Sequence, residues 1–576
     1  MRILGLSGMH PGASAALVID GEVVAFVREE NLSGSPQDAS LPLRATRVAL
    51  DLAGVTSGEL DAIVFHEKPL RRFERILVTS LAQFPSGSRA FASEVSRWLG
   101  DQLWVRGRLA NELGVPPSRI RFADHMQAHA ALALAAARDG ESASDTSPWA
   151  VLVLDDVGEW AGTAIGRGIP AEASLELTEE LHAPATPGLI QGAVAAYLGL
   201  DRWHASDLLQ DLATHGEPQH LETLQASLPA ATGGAPALGE GWRLEGGELS
   251  MDPDHWTPIL GAPRTPGAPV DPTTDPQAAH LASSIEAWLL EAAIGLARRA
   301  LEVAGTRRLA LGGLLARRRR LVAGLCSALD LEQLAVAPLP ADDGTALGAA
   351  LCAAGAEARP LPAELSGGVP LRRESVSGED AATQTDPASA AEALAAGHSV
   401  GWMRGEAPAG TTGQLARLVL RAPVTAGARQ ELVRQLALGP DWYGLPVLVP
   451  AEELERWCPD LGVRAAHAAT LGVHSDATPA SDPVPGAIAG DGSLWVQAVH
   501  AGEQPELHAL LHSVGERTGV AALIAAPLQR DDRTLALGTA EGREAAARRG
   551  LEQLVVLGEA APAVSAPVEP EEAPIP

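Results

Sequence analysis

The chain predicts an α/β protein of at least two units, and three features of the sequence predict it. The opening segments RILGLSG and SAALVIDGEVVAFVREE alternate in the manner of strands, with Asp20-Gly21 between two apolar runs as a strong hairpin signal. Short apolar runs such as DAIVFH and AVLVLDD then alternate with helical patterns, which is the signature of layered helices and sheets. A stretch rich in Pro, Gly, Ser and acidic residues, about 356–388, separates this region from a second α/β alternation over 389–558.

Taken in order, the two opening strands precede the apolar run DAIVFH, and a helix follows at ADHMQAHAALALAAA. WAVLVLD reads as a strand that ends on Asp155. Residues 270–305 (QAAHLASSIEAWLLEAAIGLARRALEVAG at their centre) read as a long helix, followed by a strand at RRLALGG. Asp342 then stands in a loop that opens the helical run PADDGTALGAALCAA. The tail 559–576, APVEPEEAPIP at its end, is too polar and Pro-rich to pack and is expected to be disordered. No internal repeat is visible.

Composition excludes several classes. At 576 residues, 46% hydrophobic and 20% charged, the chain is long enough for several buried cores. A formal charge of −29 argues against nucleic acid and against an anionic membrane surface, both of which require a basic face. Lys68 is the single lysine; the abundance of Ala, Gly, Pro and Arg reads as coding bias. The N-terminus runs straight into a strand without an apolar leader, and no run of about 18 apolar residues suggests a membrane span. Cys326, Cys352 and Cys458 are scattered, suggesting neither a disulfide framework nor a zinc knuckle. The cytoplasm is the expected compartment.

The chemistry-bearing pattern is a set of histidines and aspartates. His125 and His129 stand four apart, so a helix projects both imidazoles from one face where they can share an ion. Asp155 at the carboxyl end of a strand and Asp342 in a loop before a helix are usual positions for ligands in α/β folds. Met126 stands where a zincin motif needs its glutamate, so this is not that site. Two imidazoles with two carboxylates suit Fe²⁺ foremost, with Mn²⁺ or Zn²⁺ also compatible.

Several segments together resemble the O-carbamoyltransferase family of nodulation-factor and antibiotic-tailoring enzymes: ILGLSG with SAALVIDGEVVA, REEN, DASLPLRA, DAIVFHEKPLRRFERIL, LDDVGEWAGTAIG, PGLIQGAVAAYLGL, LALGG and DDGTALGAAL. They cover about residues 1–355; the C-terminal part is similar in scattered pieces such as LAAGHSVGW and ERTGV. The resemblance implies a two-lobed, actin-like (ASKHA) α/β domain over 1–355, the linker 356–388, and a smaller YrdC-like α/β domain over 389–558. It implies a metal held by His125, His129, Asp155 and Asp342, cofactor-binding turns at Gly158, Gly312, Gly313 and Gly344, and His10 as candidate base for an acceptor hydroxyl. In the family, carbamoyl phosphate and ATP give a carbamoyl-adenylate whose carbamoyl group passes to a hydroxyl.

Against that pattern, the phosphate-binding positions are changed. The family's basic run is here Gly34-Ser35-Pro36-Gln37; a lysine is Leu208, a glycine is Asp211, and a glycine of the turn after Asp155 is Asp156. An asparagine after Gly312-Gly313 has become Arg317, and His10 stands one position out of step with the family's histidine. In the second unit, Gly410 and Arg417 alone survive of one polar motif, another reads Pro527-Leu528-Gln529, and Leu438 replaces a lysine. A carboxylate in such a turn repels phosphate, so adenylation at the usual site is not expected.

Arg317-Arg318-Arg319-Arg320, pointing in all directions on a helix, reads as solvated or partner-facing. Asp343 reads as a helix N-terminal carboxylate, Glu159 as either a neighbour of the ligands or a surface group, and the twelve tryptophans, Trp160 and Trp203 included, as core. Three functions remain open. The first is a metal-holding, non-catalytic subunit that partners an active carbamoyltransferase paralogue or forms a homo-oligomer. The second is an active O-carbamoyltransferase acting on a small hydroxylated acceptor, and the third a metalloenzyme with repurposed chemistry.

Overall fold

A computed structural model describes residues 1–82, 95, 98–100, 102–138, 145–200, 205–229, 236–245, 248–362, 386–407, 415–440, 443–459, 462, 472–475, 484, 486–489, 491–551 and 553–557. Most of the expected linker, the tail, Trp203 and Gly410 lie outside the described residues. The first sheet contains β1 (Arg2–Ser7), β2 (Ser14–Ile19), β3 (Glu22–Arg28), β4 (Ala62–Phe65) and β5 (Ile120–Phe122), in the order β3-β2-β1-β4-β5. The second begins with β6 (Trp149–Leu154), β7 (Ala161–Ile169) and β8 (Ser174–His182). A separate hairpin of β9 (Trp242–Glu245) and β10 (Glu248–Met251) intervenes before β11 (Arg308–Gly312) and β12 (Gln333–Val336) complete the order β12-β11-β6-β7-β8.

The two sheets have the same plan. In each, three strands form an antiparallel meander, and two later strands join in parallel beside the first. The fold is therefore the actin-like pair of α/β lobes, and it contains the internal repeat that the sequence does not display. The repeat is one of strand order, which many apolar patterns satisfy, so residue identity need not preserve it. The first hairpin turns where expected: Asp20 (φ 50°) and Gly21 (φ 84°) both take the left-handed backbone of a two-residue turn.

The helices His125–Ala136 and Thr345–Ala354 lie between the lobes. Their Ala, Leu and Met side chains share one core with Ile3, Val18, Phe26 and Val64 of the first sheet and Val151, Val153 and Ala310 of the second. A helix buried between a sheet and another helix must be apolar nearly all round, which HMQAHAALALAA is apart from its histidines and Gln127. The long helix Pro276–Ala304, capped by Asp275 and ended by Gly305 (φ 64°), covers the outer face of the second sheet. Among the described residues no helix is long and apolar enough to cross a membrane.

The C-terminal unit is one mixed sheet of β13 (Ser399–Arg404), β14 (Arg417–Arg421), β15 (Val447–Pro450), β16 (Val473–Ser475), β17 (Leu494–Val499), β18 (Leu523–Pro527) and β19 (Gln553–Leu557), ordered β16-β17-β15-β18-β14-β13-β19. Apolar clusters cover both of its faces, with Trp402 and Trp457 fully buried in them. It is fastened to the N-terminal unit by polar contacts: Gly444 N–H donates to Asp211 (2.8 Å), and Leu535 N–H to the Asn31 side chain (3.4 Å).

Candidate metal centre

The strand order explains how residues far apart in sequence meet. His10 follows β1, His66 follows β4, and His125 and His129 ride the helix that follows β5. Asp155 follows β6, Leu314 follows β11, and Asp342 follows β12. All come from the carboxyl ends of the parallel strands of both lobes, where an open α/β sheet presents its crevice.

His125, His129, Asp155 and Asp342 converge as expected, one donor atom from each lying within 4.8 Å of the others. His125 Nε2 is 3.2 Å from His129 Nε2, 3.3 Å from Asp155 Oδ2 and 3.4 Å from Asp342 Oδ1. His129 Nε2 is 3.5 Å and 3.6 Å from the same two carboxylate oxygens. A tetrahedron with donors about 2.1 Å from its centre has edges of about 3.4 Å, so this spacing fits a divalent ion. Two carboxylates match its charge in a place where His125, His129 and Asp155 are at most 4% exposed; Asp342, 38% exposed, is the open side.

The electrostatics agree. Burial alone would deprotonate His125, but its hydrogen bonds to Asp155 and Asp342 carry it well above the ordinary histidine value. Burial likewise opposes His129, and the Asp155 charge raises it. Burial pushes the two carboxyls up, yet His129 beside Asp155 and His10 beside Asp342 help to hold both well below their usual range. Protons thus occupy the position that a cation would take.

Sequence reading missed His66. It is fully buried, with Nε2 3.0 Å from His10 Nε2 and Nδ1 3.3 Å from His125 Nδ1. Burial, with His10 and His125 adding, keeps it well below the ordinary histidine value, hence neutral. Acceptors assign the hydrogens. Pro11 O takes His10 Nδ1–H (2.8 Å), so His10 Nε2 accepts from His66; His66 Nδ1 then accepts from His125 Nδ1–H, and the second His125 hydrogen, on Nε2, faces the carboxylates where an ion would replace it. The available signal was its place, a polar residue closing the apolar run DAIVFH at a strand's carboxyl end.

The other candidates support the ligands. His10, 6% exposed, has Nδ1 3.3 Å from Asp342 Oδ2 despite its shifted sequence position. Gly313 (φ 86°) turns the chain so that Leu314 N–H donates to Asp155 Oδ1 (2.8 Å); a Cβ there would meet Leu154 O at 2.4 Å. A Cβ on Gly158 would lie 2.8 Å from the His125 side chain, one on Gly312 3.0 Å from His129 O, and one on Gly344 1.9 Å from Leu339 O. These glycines therefore have packing reasons beside the ligand set, independent of any cofactor. Glu159 is buried, not at the surface, and accepts from Lys68 N (2.8 Å) and His125 N (3.2 Å), satisfying the first turn of the ligand helix.

The arginine run corrects the sequence reading. Arg317 pairs with Asp207 (3.1 Å), Arg318 is 1% exposed against Glu286 and Gln191, Arg319 pairs with Asp211 (3.4 Å) and lies over Trp495, and Arg320 pairs with Asp491. Arg318 is buried and the other three are partly buried, each held against a carboxylate from another element, where a charge withdrawn from water needs a partner. Asp343 is likewise not simply a helix-end carboxylate but is paired with buried Arg28. Arg417, fully buried, donates to the carbonyls of Arg404, Gly405 and Ala536.

Paired sheets closing on a buried His/His/Asp/Asp set define an actin-like α/β protein with a candidate metal centre. The family model for the carbamoyltransferase N-terminus matches residues 2–351, and that for the carbamoyltransferase C-terminus residues 391–561; the chain belongs to the carbamoyltransferase family. An uncharacterized protein of Synechocystis sp. is 33% identical over 362 residues, 61% of this chain and 56% of its own. Nodulation protein NolNO of Sinorhizobium fredii is 28% identical over 354 residues, 60% of this chain and 46% of its own. The chain spans about half the length of these curated relatives. A ROK hexokinase structure from Thermus thermophilus aligns with 61% of the chain and 98% of its own, at 18% identity and a TM-score of 0.29.

Proposed function

We propose that this chain is a divalent-metal protein that keeps the family's transfer centre but not its ATP-dependent adenylation, and that it serves as a partner subunit of an active paralogue in specialised metabolism. The observation that carries this reading is the engagement of Arg317, Arg318, Arg319 and Arg320 by Asp207, Glu286, Asp211 and Asp491. Cations bound to internal carboxylates are not offered to a phosphate, and each charge-assisted bond forgone withholds about 1.5–3 kcal/mol.

The converged ligands favour a second reading, in which carbamoyl transfer to a hydroxyl persists with a donor made by another protein. A divalent ion held by His125, His129, Asp155 and Asp342 supplies Lewis acidity to a carbonyl oxygen. The chain's own groups do the rest: His66 and Leu314 N–H orient His125 and Asp155, and Asp342 marks the approach from solvent. His10 holds Asp342; its Nδ1–H is given to Pro11 O and its Nε2 accepts from His66, so Nε2 is the nitrogen that would take a hydroxyl proton once it leaves His66.

The test is formation of AMP and pyrophosphate from ATP with carbamoyl phosphate by the Fe²⁺-loaded protein. No turnover above a protein-free control is expected, with metal still bound by the wild type and lost by the His125→Ala/Asp155→Ala variant. Turnover above that control overturns the loss of adenylation.

A further inference from the structure

The C-terminal unit holds a second convergence of metal-ligating atoms. Glu452 lies in the short turn Ala451–Glu453 that follows β15, and His508 and His512 stand four apart on the helix Pro505–Thr518. That spacing sets both imidazoles on one helix face. His508 Nε2 is 2.9 Å from Glu452 Oε1 and 3.0 Å from Oε2, and His512 Nε2 is 2.9 Å from the same Oε1. The rings meet edge-on, centroids 4.7 Å apart at 63°, so the two Nε2 atoms point to one place. One donor atom from each of the three residues lies within 4.8 Å of the others.

A single imidazole already satisfies an exposed carboxylate, and a second on the same oxygen gains little in water. Two imidazole nitrogens and a carboxylate oxygen on two rigid elements are, by contrast, the donor set that suits Zn²⁺ with a fourth position left to water. We propose that Glu452, His508 and His512 form a second metal site, which takes Zn²⁺ or a similar first-row divalent cation and fastens the end of β15 to the helix Pro505–Thr518. The site is shallow: His508 is 16% exposed, His512 44% and Glu452 54%, so an ion enters without opening the fold. In its absence the imidazoles face the carboxylate with N–H groups, which the ion replaces. The proposal is independent of the function proposed above, because it uses no residue of the N-terminal centre.

The experiment titrates Zn²⁺ into the full chain with a competing chromophoric chelator and follows thermal unfolding. Wild type is expected to bind one equivalent more than His512→Ala, while His125→Ala keeps this site. Zn²⁺ is expected to raise the unfolding temperature of His125→Ala through it. Glu452→Gln, which preserves shape at an exposed position, is expected to lose the same equivalent and guards against a folding defect in the histidine variant. Equal Zn²⁺ stoichiometry in wild type, His512→Ala and Glu452→Gln overturns the proposal.

Discussion

Replacing His66 by leucine tests whether the candidate metal centre is held from behind. His66 is 0% exposed, and leucine is close to it in size, so the change deletes polar contacts with little change of volume. His10 Nε2 keeps Ser7 Oγ at 3.2 Å, but His125 Nδ1–H loses the acceptor that stands 3.3 Å away. One buried donor left unpaired costs about 1–3 kcal/mol of stability. The same loss frees the His125 ring and its tautomer, for which a 10–100-fold drop in metal affinity is typical, roughly 1.4–2.8 kcal/mol. Metal affinity is read by chelator competition, and unfolding temperature is read with and without metal. A His66→Leu variant that folds and binds metal within about twofold of wild type refutes the argument, and His66 is then core only.

Two further predictions concern the same centre. Gly158→Ala places a methyl 2.8 Å from the Cβ and Cδ2 of His125, so the ring must move; metal affinity is expected to fall at least about tenfold while the fold persists, measured by the same competition. Metal affinity is also expected to rise with pH by about tenfold per unit, because binding displaces the proton that the raised His125 holds. In the metal-free protein the sign reverses. A histidine raised by folding contributes stability that is present below its unfolded value of about 6.5 and lost as pH rises through the higher folded value. Thermal unfolding from pH 6 upward should show the gap between metal-loaded and metal-free protein widening; a constant gap contradicts it.

Much of this protein is legible in one dimension. The Asp20-Gly21 hairpin, the helix ended by Gly305, the strand ending on Asp155 and the His125/His129 pair are local patterns, set by apolar periodicity and turn chemistry within a few residues. The ligand set was legible because its members are chemically distinctive and sit at the ends of readable elements. What only the tertiary structure decided is what crosses between elements. His66 matters because the parallel pairing of β1, β4 and β5 brings its ring between His10 and His125. The four arginines read as solvated or partner-facing until the fold set Asp207, Asp211, Glu286 and Asp491 against them, since a charge's environment depends on its neighbours in space. The repeated lobe was invisible for the converse reason: strand order constrains apolar positions and not residue identities, so the shared plan shows in the topology alone.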